Sequence, residues 1–223
     1  MDWQAVAVSG RLALATTAIL LVVAVPLAAW LAFSRRRWTV LVEAVVALPL
    51  VLPPTVLGYY VLVALGTSSP LGRWLQETTG ATLAFSFSGL LIASVLYSLP
   101  FAVQPLLAAF GSIDRRLLEA SAVLGRSRVG TVARVVLPLS RAGLATAAVL
   151  TFAHTVGEFG VVLMVGGNIP GETRTLSISV YDSVQAFDYA AAGRTSLALL
   201  AFSLVVLSAT YALQRGRVGW PRP

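Results

Sequence analysis

Few side chains in this 223-residue chain are equipped for chemistry, and they fall into two groups. The single histidine, His154, stands four residues before Glu158 inside a long apolar run, so the two share one face of a helix. An ionisable group in such a run needs a partner or a wet cavity. Two readings stay open: a hydrogen-bonded pair that pins the helix, or a group that meets whatever passes. The second group is the stretch EASAVLGRSRVGTVARVVLPLS, residues 119–140, where arginine, glycine and small residues interrupt apolar text.

Several chemistries are missing. All 16 basic residues are arginine, and a phosphate-binding loop of the Walker type needs a lysine, so the chain holds no such nucleotide site. It has no cysteine, which removes disulfides, thiolate metal sites and cysteine nucleophiles, and neither metal nor cofactor is expected. A membrane-embedded hydrolase lacks its Gly-x-Ser-x-Gly elbow here. A purely structural membrane scaffold is not excluded on chemical grounds. The net charge of +7 comes from arginines that flank apolar runs, where they act as topology signals rather than nucleic-acid contacts.

The elements that must position these residues follow from composition. The chain is 57% hydrophobic and 11% charged, against roughly 25% charged for a soluble domain. Its uncharged runs match the ~20 residues that cross a bilayer as a helix. Five spans are predicted: Leu12–Phe33, Ala44–Gly66, about Ser86–Phe110, about Ala142–Val165, and Thr195–Gln214. The expectation is an all-α membrane protein with five transmembrane helices, a single transmembrane domain over residues 1–223. Pro49, Pro53 and Pro54 interrupt the second run; Pro53 and Pro54 either unwind it where it lines a pathway or merely kink it. Arg35, Arg36 and Arg37 follow the first run, so it reads as a retained span and not a cleaved signal. Of the 16 arginines, twelve fall on one side of these spans and only Arg11, Arg73, Arg174 and Arg194 on the other. The inside-positive rule puts the N-terminus outside, the C-terminus inside and the insert at 114–140 in the cytoplasm. Of the outer loops, 67–85 and 166–194, the second is predicted to hold a short helix with Leu176, Val180, Val184 and Phe187 on one face.

Within the insert, Asp114 can cap a helix that runs through Glu119, Ala120 and Val123, Gly125 breaks it, and a second short helix starts near Ser127. Pro138 then starts or kinks the element that re-enters the membrane. Exposed small residues on such a pair suit packing against another protein; a plain amphipathic connector is the alternative. The spacing of Glu119, Ala120, Gly125, Val135, Leu137 and Pro138 resembles the pattern Glu-Ala-Ala, three residues, Gly, nine residues, Ile, one residue, Leu-Pro. That pattern is the cytoplasmic signature loop of the membrane subunits of ATP-binding cassette importers. Ser121 replaces the second alanine and Val135 the isoleucine. The resemblance implies a type I importer permease fold and a coupling surface for separate ATPase subunits, two per transporter, which hydrolyse ATP while this chain transports.

Residues 48–66, LPLVLPPTVLGYYVLVALG, and 157–182, GEFGVVLMVGGNIPGETRTLSISVYD, resemble the matching segments of molybdate permeases. The Gly-Glu-Phe-Gly element is shared with sulfate permeases, and tungstate permeases carry a related outer loop, so tungstate and sulfate or thiosulfate are the alternative cargoes. The resemblance also implies a plasma (inner) membrane location, a second copy of the permease, and a periplasmic or surface-held oxyanion-binding protein. Candidate pathway or gate residues are Pro53, Pro54, Gly157, Glu158 and Gly160, with Gly157, Gly160, Gly166 and Gly167 letting backbones approach. Asn168 and Arg174 are candidates for the outer entrance. Arg174 either meets an acidic patch on the binding protein or pairs locally with Glu172.

Overall fold

A computed structural model describes residues 1–34 and 36–215, with Thr79 and the last three of these in backbone alone. Arg35, Arg217 and Arg222 of the arginine sorting, the side chain of Arg215 and the C-terminus lie outside the described residues. Every regular element among the described residues is a helix.

Helix α1 (Trp3–Phe33) begins nine residues before the predicted Leu12, because Asp2 accepts the Ala5 N–H at 3.0 Å and caps it. Arg11 does not end the helix; its guanidinium lies 5.0 Å from the Phe87 ring centre. At 1.5 Å per residue α1 is about 46 Å long, more than the ~30 Å hydrocarbon core it must cross. The second run folds as α2 (Thr39–Val51) and α3 (Pro54–Leu65), bent by 110° across Leu52 and Pro53. Pro54 opens α3 at a position where its missing N–H costs nothing. A short helix, α4 (Pro70–Thr79), precedes α5 (Phe87–Gly111).

The insert contributes α6 (Arg115–Val123), α7 (Arg128–Thr131), a π-helical turn at Val132–Val136 and α8 (Leu137–Leu139). Then come α9 (Arg141–Gly157), α10 (Gly160–Gly166), α11 (Leu176–Gln185) and α12 (Tyr189–Arg215). Helix α12 starts six residues before the predicted Thr195 because Asp188 accepts the Ala191 N–H at 2.9 Å. Among the described residues α1, α5 and α12 are long and apolar enough to cross a membrane; the count reaches five when the bent pairs α2/α3 and residues 128–139/α9, the latter bent by 80°, are each one span.

Helices α1, α5 and α9 form the centre, where small residues (Ala24, Ala28, Ala102, Ala147) let Leu20, Leu106 and Phe110 close the gaps. A Cβ added to Gly143 would sit 2.3 Å from that of Ala109, which fixes the closest approach of α9 to α5. One end of the bundle gathers Leu31 and Phe110 with Leu118, Val132 and Val136 of the insert. The other end joins Asp2 and Ser9 of α1 to Arg174 and Leu176.

The outer-loop helix α11 is present but buries a different face. Leu176 and Ile178 are covered, Ile178 against Leu12, Leu90 and Val162, whereas Val184 is exposed. Phe187 lies beyond the helix end with φ 59° and is also exposed. The helix is seated by its first turn, so a face drawn through its whole length points elsewhere.

Candidate functional site

The insert is built by local capping chemistry. Asp114 accepts the Arg116 N–H at 2.9 Å and starts α6. The chain reverses at Gly125, whose φ of +74° suits glycine. Ser127 then accepts the Gly130 N–H at 3.1 Å and starts α7. The wide π turn leads into Pro138, which lacks an N–H and would press on the carbonyl four residues back in a regular helix.

The two faces of this unit differ. Leu118, Val132, Val136 and Leu137 face the α1–α5 core, with Val135 half-buried beside them. Glu119, Ala120, Gly125 and Pro138 are exposed. So are Val123 at 88%, Leu124 at 80% and Val129 at 79%, an apolar crown over the glycine turn. The sequence reading placed Val123 in the helix body but gave none of the three a role; the signal was apolar residues set among arginines on a loop that should be wet. Ser121, one of the two departures from the signature, is buried, and its Oγ lies 2.8 Å from Thr131 Oγ1. A hydroxyl at this position therefore braces α6 against α7.

Glu158 sits at the break between α9 and α10, only 3% exposed. Ser94 Oγ donates to its Oε2 at 2.6 Å and Ser98 Oγ to its Oε1 at 2.5 Å. The Ser98 hydroxyl has one proton, and with that proton on Glu158 it can only accept. Thr155 Oγ1, at 3.0 Å, and His154 Nδ1, at 2.9 Å, are therefore the donors to it. His154 Nδ1 is also 3.3 Å from Glu158 Oε1, and its ring stacks on Phe101 with centres 3.8 Å apart. Both carboxylate oxygens are thus engaged by α5. A hydrolytic triad would set serine and acid on opposite imidazole nitrogens, whereas here both lie against Nδ1. Ser94 and Ser98 were not singled out from the sequence, since nothing local distinguishes two serines one turn apart.

The other pathway candidates divide. Gly160 lies against Pro54, where an added Cβ would be 2.9 Å from the proline Cβ, so α10 and the start of α3 are in contact. Gly58 makes the same crossing close, with 2.8 Å to Met164 Cβ. Pro53 supplies the bend itself. Gly166 approaches Leu90 and Thr173, and Gly167 has φ +66°. Gly157 does not fit the expectation of a close approach: nothing lies within 4 Å of a Cβ there, because the chain leaves the helix at the next residue.

At the opposite end the loop after α10 is cross-tied. Arg174 Nε donates to Asn168 Oδ1 and Asn168 Nδ2 donates to Asp182 Oδ2, both at 2.6 Å. The guanidinium also reaches Asp182 at 3.4 Å and Asp2 at 3.8 Å. Arg174 thus pairs locally, but not with Glu172, which is exposed; carboxylates distant in sequence are closer in space. Thr173 Oγ1 accepts the Ile169 N–H and donates to the Gly166 carbonyl, and Ser9 Oγ accepts the Leu176 N–H at 2.8 Å. Among the described residues no three His, Asp or Glu side chains gather as metal ligands.

Comparison with known proteins extends this geometry. Residues 24–217 match the family described as "Binding-protein-dependent transport system inner membrane component". The chain is 50% identical to the "Molybdenum transport system permease protein ModB" of Azotobacter vinelandii, covering 98% of this chain and 96% of that one. It is 33% identical to the protein of that name in Escherichia coli K12, over 93% and 90% of the two chains, and 37% identical to the Mycobacterium tuberculosis one, over 91% and 76%. Among solved structures it resembles a chain of a bacterial ABC transporter that imports alginate, with TM-score 0.70, 18% identity and coverage of 93% and 78%. A crystal structure of the alginate transporter in complex with its pentasaccharide-bound periplasmic protein matches equally, with TM-score 0.70 and 17% identity.

Proposed function

The chain belongs to the family of binding-protein-dependent transport system inner membrane components, and on that premise we propose that it is the permease subunit of an ATP-driven molybdate importer. It is a multi-pass protein of the plasma membrane and not itself an enzyme; with no lysine for a Walker loop, ATP hydrolysis lies on a separate subunit. The observation that carries the reading is the insert, whose apolar crown of Val123, Leu124 and Val129 is uncovered among arginines.

In this reading the insert faces the cytoplasm and the N-terminus the outside. Two copies of the permease bind two ATPase subunits through Glu119, Ala120, Gly125 and the crown. Motion of an ATPase is passed inward through Leu118, Val132 and Val136 to α1 and α5, which these residues touch. Glu158 keeps the α9–α10 break attached to α5 and does not meet cargo, since a carboxylate in the path would repel a dianion. Pro53, Pro54 and Gly160 form the contact at which the bent pair α2/α3 meets α10, a place for the pathway to open and close. Selectivity resides in an oxyanion-binding protein that docks at the end carrying Asn168 and Arg174.

Proteoliposomes that hold this chain and its ATPase, with ATP on the ATPase side and the binding protein opposite, should accumulate labelled molybdate and, less well, tungstate. Accumulation of sulfate or thiosulfate without molybdate would move the protein to that branch. Accumulation of none, with ATPase docking intact, would overturn the oxyanion assignment.

A further inference from the structure

Helix α4 differs from every span in its pattern. Leu71, Trp74, Leu75 and Thr78 recur at helical spacing on one face, while Arg73, Gln76 and Glu77 occupy the opposite one. The polar member of the first face is neutralised within the helix, because Thr78 Oγ1 donates to the Trp74 carbonyl at 2.8 Å. That face is therefore apolar along its length.

The helix is held in place from the side. Ser69 Oγ accepts the Gly72 N–H at 2.8 Å and caps the N-terminus, and Gly80 closes the other end with φ +71°. Gly72 is buried: a Cβ there would lie 2.0 Å from the Gly66 carbonyl oxygen, so α4 presses backbone to backbone on the end of α3. Gly72 lies at the flank between the two faces. The packed edge leaves Leu71 50% and Trp74 59% exposed, while Leu75 beside them is half-buried.

Location decides what covers it. Helix α4 starts five residues after α3 ends, and α5, a helix long and apolar enough to cross a membrane, starts seven residues after α4 closes at Gly80. A helix tied so closely to the ends of two membrane segments sits at the height of the lipid headgroups. There an amphipathic helix lies flat with its apolar face in the acyl boundary, and tryptophan is favoured.

We propose that α4 is an interfacial anchor whose Leu71–Trp74 face inserts into the bilayer surface and fixes the height of the α3–α5 connection, leaving Arg73, Gln76 and Glu77 in water. The partner is the lipid surface. The proposal needs only that the chain is a membrane protein and does not depend on its cargo.

The chain has no cysteine, so single substitutions give clean labelling sites. Leu71→Cys and Gln76→Cys carry a nitroxide in phosphatidylethanolamine–phosphatidylglycerol proteoliposomes, and collisions with oxygen, which concentrates in lipid, and with a water-soluble nickel chelate are measured. Leu71→Cys should collide mainly with oxygen and Gln76→Cys mainly with nickel, the ratio of the two rates reversing between them. A Trp74→Cys label repeats the test on the same face. Nickel access at Leu71→Cys equal to that at Gln76→Cys would place the face in water and overturn the proposal. Protection of Leu71→Cys from both colliders would do so too, showing a second copy or another protein on the face.

Discussion

The two polar connections at opposite ends of the bundle are built on opposite plans. The loop from Gly166 to Thr175 has its polar side chains tied to the rest of the protein: Asn168, Thr173 and Arg174 bond within the loop and to Asp182, and Arg174 reaches Asp2 of α1. The insert at residues 114–140 has one side-chain brace between its helices, Ser121 to Thr131, and presents large apolar side chains to solvent. Bonds formed within the chain prefix a shape, whereas uncovered apolar area is stabilising only once something covers it. One end is a finished wall. The other, in the function proposed above, is half of an interface.

The sharpest way to test that division is at Gly125. Its φ of +74° is closed to proline, whose ring holds φ near −65°, so Gly125→Pro must redirect the turn and displace Val123 and Leu124 together. An added Cβ there would meet nothing within 4 Å. The variant should reach the membrane at normal levels while uptake drops by at least about tenfold, the equivalent of 1.4 kcal/mol or more of lost coupling. Wild-type uptake at matched expression would show that the crown is not an interface.

A smaller effect is expected at the wall. Arg174→Ala removes one hydrogen bond and two partly exposed ion pairs, together about 1–2 kcal/mol of local stability. Amide exchange in residues 166–175 should quicken, and uptake should fall a few-fold with ATPase docking unchanged. Arg174→Lys keeps the charge but not the planar Nε contact to Asn168, so it should rescue only partly. If uptake falls while exchange stays slow, Arg174 acts directly on a partner and the contrast between the two ends fails.

How much of this could be read from the sequence depends on the range of each interaction. The insert was legible because Asp114, Gly125 and Ser127 act within three residues of themselves. The His154–Glu158 pair was legible for the same reason, one helical turn apart, but Ser94 and Ser98 belong to a helix some sixty residues away and carry no local mark. For Arg174 the sequence offered an acidic patch on a partner or, within the chain, Glu172; the side chain instead reaches Asp2 and Asp182, which only the fold brings near. Pro53 and Pro54 announced a break, though not that it turns the chain by 110°. The starts of α1 and α12 were set too late because apolar runs show where lipid begins, while the caps Asp2 and Asp188 show where helices do.

The least effect, and the finest test of the contrast, is at the single brace of the insert. Ser121→Ala restores the residue that the signature pattern has at this position, yet here it removes the partner of Thr131 Oγ1 and leaves a half-buried hydroxyl unpaired. The loss is about 0.5–1.5 kcal/mol, the usual net worth of a neutral hydrogen bond. Thr131→Val should cost a similar amount from the other side. If the two hydroxyls act only on each other, the double variant is no worse than either single one, because the brace can be lost once. ATPase docking affinity should therefore fall by no more than about tenfold in each of the three variants, 1.4 kcal/mol corresponding to that factor. Additive losses would mean that Ser121 or Thr131 touches the ATPase itself, and the boundary between braced interior and docking face would then run one helix face deeper than the exposures of Val123, Leu124 and Val129 place it.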